Sequence, residues 1–273
     1  MHGQSIAVSA GSSRLMGECW RSGDGHATVV LLHSAVTDRR SWYEVADRLA
    51  PTATVVAYDR RGFGETGSPT IPFSHLDDLM AVLDGVADRP VWLVGNSAGG
   101  GLALDAALAQ PGWVAGLVLL APAVSGAPVP NLDPATDRLD RLREAALAAG
   151  DLDVVNRWDT WLWLDGPAEP EGRVSGPQRE LARAMNAAVL RNRRPELVVT
   201  SETDAWARLP EVHVRATVIC GDRDVPFIRD RCAELAQRLP HGRHRVVAGA
   251  AHAPHMEQPE VVAQLIAEAL SGR

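Results

Sequence analysis

A serine between two glycines, in Gly95-Asn96-Ser97-Ala98-Gly99, is the feature of the sequence that points most directly to chemistry. The apolar run Val91–Val94 precedes it and predicts a buried strand, while the Ala- and Leu-rich run Leu102–Ala109 follows it and predicts a helix. A serine on such a sharp strand-to-helix turn keeps its hydroxyl exposed above the sheet, and the glycines leave room for the crossing backbone. The helix start adds N–H groups that suit a developing oxyanion. We predict that Ser97 is a nucleophile; the alternative is a glycine-rich turn with an incidental serine.

A serine hydroxyl is a weak nucleophile at neutral pH, so it needs a base and an acid that orients the base. Two loops that follow predicted strands supply these residue types. The strand Ala216–Cys220 leads into Gly221-Asp222-Arg223-Asp224, and the strand Arg245–Ala248 leads into a loop with His252 and His255. Open α/β sheets bind their ligands at the carboxyl ends of the strands. The three residue types therefore stand where a catalytic site is expected.

Taken together, these motifs resemble those of the α/β-hydrolase family in its single-domain form with a lid, and the resemblance covers nearly the whole chain. It implies that Ser97 is the nucleophile, His252 the base and Asp224 the orienting acid. It also implies an oxyanion hole formed by the backbone N–H groups of Ala35 and Ala98. The further matching segments are Leu31-Leu32-His33-Ser34-Ala35, Tyr58–Thr66 and Ala251–Pro259.

Three alternatives stay open within this resemblance. Asp222 competes as the acid, although the family's acid stands three residues after the glycine that ends the strand. His255 competes as the base, although the family usually has a second, structural histidine at that spacing. The family commonly shows His-Gly where this chain has His33-Ser34. Backbone donation needs no particular side chain, so we expect the oxyanion hole to survive, but serine avoids positive φ more than glycine does.

Composition excludes several classes of function. The formal charge of −7 argues against nucleic-acid binding, and all 27 basic residues are arginine, which excludes lysine Schiff-base chemistry and a Walker-type phosphate lysine. Three scattered cysteines fit neither a disulfide framework nor a metal site. No signal peptide and no membrane-spanning run is visible, which predicts a cytoplasmic protein. We expect no metal, no cofactor, a small-molecule substrate and no membrane partner, and leave the oligomeric state open.

A second glycine motif, Gly62-Phe63-Gly64-Glu65-Thr66-Gly67, matches the dinucleotide fingerprint G-x-G-x-x-G and follows a strand. That fingerprint requires a helix to open at the glycines. Here Ser68-Pro69-Thr70-Ile71-Pro72 follows and predicts a loop. We therefore interpret Asp59 and Arg61, at this turn, as structural anchors rather than cofactor ligands.

The remaining pattern alternates strands with helices, which predicts an α/β fold with a mostly parallel sheet of eight strands covered by helices on both faces. Ser41 and Ser74 are predicted to cap helices. The predicted strands are Ile6–Val8, Leu15–Trp20, Thr28–Leu32, Thr54–Tyr58, Val91–Val94, Leu117–Leu120, Thr217–Cys220 and Arg245–Val247.

The alternation breaks between the sixth and seventh strands. We predict a core formed by residues 1–125 and 205–273 and a helical lid inserted at 126–204. Trp158, Trp161 and Trp163 lie in this insertion and are the predicted substrate-binding residues, although packing onto the core would explain at least one of them. The arginines at 191, 193 and 194 are predicted to form a solvated helix end, with a carboxylate clamp as the alternative.

The function predicted from the sequence is hydrolysis of a carboxylic ester or lactone of a small, largely apolar substrate, through a Ser-His-Asp triad and an acyl-enzyme. Hydrolysis of a carbon–carbon bond in a vinylogous diketone is one alternative, because Asn96 before the serine also resembles that subgroup. A binding or signalling protein with slow turnover is the other. Fold alone cannot separate these, since one scaffold hosts many reactions.

Overall fold

The computed structural model describes residues 3–21, 27–86, 90–200 and 203–272, and these form one sheet of eight strands. Its strands are β1 (Gln4–Ala10), β2 (Ser13–Trp20), β3 (Thr28–Leu32), β4 (Thr54–Tyr58), β5 (Val91–Asn96), β6 (Val114–Leu120), β7 (Arg215–Gly221) and β8 (Gly242–Val247). Their order across the sheet is β1-β2-β4-β3-β5-β6-β7-β8. The pairs β1–β2 and β2–β4 are antiparallel and the other pairs are parallel. The predicted eight-stranded, mostly parallel sheet is confirmed.

Helices connect these strands. They are α1 (Tyr43–Leu49), α2 (His75–Val86), α3 (Ala98–Ala109), α4 (Pro134–Ala148), α5 (Leu152–Thr160), α6 (Pro177–Asn192), α7 (Ala205–Arg208), α8 (Pro226–Arg238), α9 (Pro254–Glu257) and α10 (Pro259–Ser271). Short 3₁₀ helices lie at Arg39–Trp42, Pro111–Trp113, Pro195–Leu197 and Leu209–Glu211, and a π-helical turn lies at Trp161–Asp165. Within the described ranges, none of these helices is long and apolar enough to cross a bilayer.

The sheet buries both of its faces, as the uninterrupted apolar sequence of its central strands requires. Along β3, Val30 and Leu32 belong to an apolar core that also contains side chains of α2, α3 and α8. The alternate residues Val29 and Leu31 point the other way and pack with α1 and α10. Because successive side chains of a strand face opposite sides, one five-residue run anchors two cores. Helices therefore cover both faces and hold the sheet rigid beneath the loops at its edge.

The strands β5, β7 and β8 are parallel and end at the same edge of the sheet. Asn96 ends β5, Gly221 ends β7 and Val247 ends β8. The loops that leave these three ends carry the serine, the aspartates and the histidines singled out from the sequence. The topology thus brings together segments that are more than 100 residues apart in the chain.

Between β6 and β7 the chain leaves the sheet and forms α4, α5 and α6, all inside residues 126–204. We call this segment the insertion. Helix α5 packs against both α4 and α6. A small apolar cluster then joins the insertion to the last loops of the core, with Leu164 and Met185 against Ala253 and Met256. The insertion consequently sits next to the loop that carries His252.

The glycine-rich turn at residues 62–67 does not open a helix; α2 begins only at His75. Gly64 has a φ of 50°, and a Cβ there would lie 2.1 Å from Oδ2 of Asp59. Asp59 is fully buried, forms an ion pair with Arg39 and accepts hydrogen bonds from the N–H groups of Arg39 and Glu65. Burial outweighs these partners and raises the pKa of Asp59 to about 6. The turn is thus built around a buried carboxylate.

Candidate active site

Ser97 sits at the junction of β5 and α3 in a strained backbone conformation, with φ 53° and ψ −115°. A non-glycine residue at positive φ costs energy and persists only where the surroundings enforce it. Here the glycines on either side enforce it. A Cβ on Gly95 would lie 2.3 Å from the carbonyl oxygen of Gly99, and a Cβ on Gly99 would lie 2.2 Å from the carbonyl oxygen of Leu32. The serine is half-buried at the top of the sheet, as the sequence predicts.

The loop after β7 places Asp224, and not Asp222, against the histidine. Nδ1 of His252 lies 2.9 Å from Oδ2 and 3.2 Å from Oδ1 of Asp224, and both side chains are buried. Asp222 is exposed, and its carboxylate accepts a hydrogen bond of 2.7 Å from the N–H of Gly249. It therefore braces the two loops against each other.

Asn96 joins the serine turn to the histidine loop. Its side-chain amide donates to the carbonyl oxygen of His252 at 2.9 Å and to that of Leu120 at 3.2 Å. The Ser97 hydroxyl makes no hydrogen bond to the His252 ring, although both residues are described. Contacts of this kind often shorten only when substrate binds.

The backbone N–H groups of Ala35 and Ala98 have no acceptor among the described residues. Ala98 is the first residue of α3, so its N–H has no acceptor within the helix. Neither it nor the N–H of Ala35 donates to another residue in the described part of the chain. The Ala98 group also points along the positive end of the helix dipole.

Serine replaces the usual glycine in the early loop without strain. Ser34 does not adopt positive φ. Its hydroxyl lies 2.9 Å from that of Thr37 and accepts a weak hydrogen bond from the N–H of Val36. His33 is fully buried, accepts the N–H of Arg60 at its Nε2, and has its pKa held well below the ordinary value by burial and by that arginine. The side chains of His33 and Ser34 thus fix the loop that presents Ala35.

A cavity of about 20 Å³, room for roughly one water molecule, lies between this edge of the sheet and the insertion. The core contributes Asn96, His252 and the early loop. The insertion contributes both apolar and polar walls. The lining residues are Ser34, Val36, Thr37, Asn96, Asp159, Thr160, Trp163, Leu164, Ala182, Asn186, His252, Ala253 and Met256. None of these lining residues is an arginine.

Of the three predicted tryptophans, the structure brings Trp163 to this cavity. Its ring lies 4.7 Å from the His252 ring, centroid to centroid. Trp158 and Trp161 lie outside the cavity wall and pack on each other at 5.8 Å. The Nε1 of Trp161 donates to the carbonyl oxygen of Glu169, which ties it to the insertion's own loop. The tryptophan cluster therefore divides into one residue at the site and two that pack beside it.

The π-helical turn at Trp161–Asp165 accounts for the different positions of Trp163 and the other two tryptophans. Asp165 is fully buried, and its carboxylate accepts the N–H groups of Gly172 and Val174 as well as the guanidinium of Arg179. These bonds hold the end of the turn. The extra residue that a π turn inserts changes the face on which the following side chains lie, which is why such turns often occur at functional sites.

An ion pair clasps the insertion to the histidine loop. Arg173 donates to the carbonyl oxygens of Leu164 and Gly249 and pairs with Glu257. The other carboxylate oxygen of Glu257 accepts the N–H of Ala251, the residue before His252. Burial raises the pKa of Glu257 to about 7, although Arg173 and the Ala251 N–H oppose the shift.

Several residues weighed at the sequence level lie away from the cavity. His255 is fully buried, stacks on Trp42 at 4.0 Å, and has a pKa lowered by burial to about 3. The guanidinium of Arg194, at the end of α6, bonds the carbonyl oxygens of Arg191 and Arg193, and none of the three lines the cavity.

Sequence reasoning missed the polar residues that the insertion contributes to the cavity wall. Asp159, Thr160 and Asn186 line it, and the sequence drew attention only to the neighbouring tryptophans. The signal that could have found them was the presence of polar residues on the faces of α5 and α6 that the apolar pattern predicts to be buried.

Known proteins have sequences similar to this chain. A sequence profile of the alpha/beta hydrolase family matches residues 29–265. The pimeloyl-[acyl-carrier protein] methyl ester esterase of Yersinia enterocolitica is 28% identical over 254 residues, which cover 90% of this chain and 94% of that protein. A protein of Bacillus subtilis, provisionally named a 2-succinyl-6-hydroxy-2,4-cyclohexadiene-1-carboxylate synthase, is 28% identical over 259 residues, covering 89% of this chain and 90% of that one.

Solved structures show the same fold. A thermophilic esterase from Thermogutta terrifontis superposes with a TM-score of 0.74 at 23% identity, covering 98% of both chains. Est816, described as an N-acyl homoserine lactone degrading enzyme, superposes with a TM-score of 0.75 at 22% identity, covering 96% of this chain and 99% of that one.

Proposed function

The chain belongs to the alpha/beta hydrolase family, and from that premise we propose that it is a serine hydrolase that cleaves a carboxylic ester or lactone of a small, largely apolar substrate. Its relatives include named esterases, which supports hydrolase activity. The bond cleaved and the identity of the acyl group are the parts of the proposal that rest on the site alone.

In this proposal Ser97 attacks the substrate carbonyl and His252 takes the serine proton at Nε2. Asp224 accepts a hydrogen bond from the N–H at Nδ1, fixes the tautomer and stabilises the imidazolium. His252 then gives its proton to the leaving alcohol, and the same ring activates the water that releases the acid. The N–H groups of Ala35 and Ala98 hold the oxyanion of each tetrahedral intermediate.

The backbone of Ser97 is the observation that carries the proposal. A serine held at positive φ between two glycines that admit no Cβ is unfavourable for stability. The conformation raises the hydroxyl above the sheet, and the preceding residue, Asn96, bonds the carbonyl oxygen of His252, whose Nδ1 is held by the buried carboxylate of Asp224. Acyl transfer uses each of these features.

The cavity wall supports an uncharged substrate. Trp163, Leu164 and Met256 supply apolar surface, no arginine lines the wall, and the carboxylate of Asp159 is already paired with Arg143. An anionic group placed there would lose hydration without gaining a positive partner, which is costly. The wall therefore disfavours dicarboxylate-like substrates and favours apolar esters or lactones.

The purified protein should be tested against p-nitrophenyl esters of increasing acyl length, lactones and a vinylogous diketone. We expect turnover of esters or lactones, loss of roughly 10⁴-fold or more in kcat for Ser97→Ala, and labelling of a single serine by an organophosphonate. Diketone turnover without ester turnover would replace the proposal with carbon–carbon hydrolysis. No turnover of any compound would favour a binding protein, and labelling that persists in the alanine variant would place the nucleophile elsewhere.

A further inference from the structure

The insertion's side of the cavity carries three polar groups that hydrolysis by the triad does not use. Asp159 and Thr160 of α5 and Asn186 of α6 line it, and each is at most 5% exposed. Their neighbours in the wall are apolar. Buried polar side chains need hydrogen-bond partners. The contacts of these three side chains show which of their donor and acceptor atoms have a partner.

Fixed contacts determine the orientation of the Asn186 amide. Its Nδ2 donates to Oδ2 of Asp159 at 2.9 Å and to Oδ1 of Asn156 at 3.1 Å. Asn156 is itself fixed, because its own Nδ2 donates to the carbonyl oxygen of Arg183. Rotating the Asn186 amide by half a turn would set its oxygen against two acceptors. The amide oxygen of Asn186 therefore has one defined position.

That oxygen has no hydrogen-bond partner in the described part of the chain, although it is buried. A buried acceptor without a donor is unfavourable and rare in folded proteins. Asn186 lines the cavity, so a molecule that fills the cavity is in a position to supply the donor.

The other polar atoms at this end are also acceptors. The Thr160 hydroxyl donates its hydrogen bond to the carbonyl oxygen of Asn156 at 2.7 Å, so its oxygen can only accept a further hydrogen bond. Each oxygen of Asp159 takes one hydrogen bond, from Arg143 or from Asn186, and keeps further lone pairs. Because Arg143 already balances the charge of Asp159, this end offers acceptors without a net negative charge.

We propose that Asn186, positioned by Asp159, accepts a hydrogen bond from an uncharged N–H or O–H on the substrate and thereby selects esters or lactones whose acyl or alcohol part carries a secondary amide or a hydroxyl. This specificity rests on the proposed ester hydrolysis and narrows its substrate class. The apolar wall around Trp163 binds the rest of the chain.

The test uses p-nitrophenyl esters whose acyl chains carry a secondary amide at successive positions, each matched with its N-methylated counterpart. At the favoured position we expect kcat/KM about tenfold higher for the N–H compound, since one neutral hydrogen bond is replaced by an unpaired acceptor. Asn186→Leu should bring the ratio close to one. Asn186→Ala serves if the leucine variant fails to fold. Asn192→Ala removes the same side chain from the last turn of α6 and should keep the ratio.

Esters with a hydroxyl or with an ammonium group at the same positions complete the series. A preference for the hydroxyl over its deoxy counterpart supports an acceptor site in the same way as the amide. A preference for the ammonium would overturn the proposal, because it would assign recognition to the charge of Asp159. Ratios near one at every position, with plain esters still hydrolysed, refute it while leaving the proposed function intact. If plain esters are not hydrolysed either, the proposed function has failed first.

Discussion

Replacing Trp163 by alanine should weaken substrate binding more than it slows turnover. A tryptophan side chain buries about 150–250 Å² when fully enclosed, and one ring face is roughly a third of that, or about 60 Å². At about 25 cal/mol per Å² the lost face is worth ~1.5 kcal/mol, which corresponds to about a tenfold fall in kcat/KM. Because the ring contacts ground state and transition state alike, the fall should appear mainly in KM.

Steady-state kinetics with an apolar p-nitrophenyl ester measure this split, and thermal unfolding measures the accompanying change in stability. Trp158→Ala and Trp161→Ala are matched controls, since both residues lie in the same insertion but outside the cavity wall. They should lower Tm through lost packing, with KM and kcat little changed.

The competing explanation is that Trp163 acts only through the His252 ring it packs against at 4.7 Å. In that case kcat falls and KM stays constant. That outcome would refute the assignment of Trp163 as a substrate contact. A larger increase in KM for Trp158→Ala or Trp161→Ala would also refute this assignment, because the substrate would then contact those tryptophans instead of Trp163.

Two further predictions concern the loops after β7 and β8. Asp224→Asn should lower kcat by up to about 10⁴-fold, because an amide favours the wrong tautomer of His252, whereas Asp222→Asn should leave kcat nearly unchanged; the opposite ranking would contradict the assignment of the acid. The pKa of Glu257 is raised to about 7 in the folded protein, so the folded state binds this proton more tightly than the unfolded state does. The protonated carboxyl therefore contributes its full share of the folding stability below about pH 4.5, and this contribution is lost as the pH rises through 7. From pH 5 to pH 8, the free energy of unfolding measured in urea should therefore fall by up to ~3 kcal/mol more for the unsubstituted protein than for the Glu257→Gln variant. An equal fall in the two proteins would show that Glu257 does not titrate in this range.

The sheet and the placement of Ser97, Asp224 and His252 in loops at its carboxyl edge were predictable because they depend on local signals. Apolar runs fix the strands, and a glycine or a polar loop after each run marks the carboxyl edge. Parallel pairing then brings the three strand ends together whatever the length of chain between them. Even so, one cap was wrong. Ser74 caps α2 as predicted, with its hydroxyl accepting the N–H of Asp77, but Asp38 and not Ser41 caps the short helix at Arg39–Trp42.

The cavity wall could not be predicted in the same way, because it depends on contacts between distant segments. The sequence does not distinguish the tryptophan that lines the cavity from the two that pack beside it, because the turn that contains Trp161 and Trp163 is π-helical. That turn is held by Asp165, whose partners lie seven or more residues further along the chain. Asn186 depends on α5 and α6 packing side by side. The sequence marks Asn186 only as a polar residue on a face of α6 that is predicted to be buried, and it does not indicate which residues it contacts.

The clasp at Arg173 explains how these unpredicted features act together with the predicted ones. One guanidinium bonds the carbonyl oxygen of Leu164, beside Trp163, and also the carbonyl oxygen of Gly249 and the carboxylate of Glu257 on the histidine side. Glu257 in turn holds the N–H of Ala251, next to His252. The wall that we propose to contact the substrate and the loop that carries the proposed base, His252, are therefore held by the same ion pair. We expect a change in the insertion that shifts Arg173 to alter the placement of His252 as well.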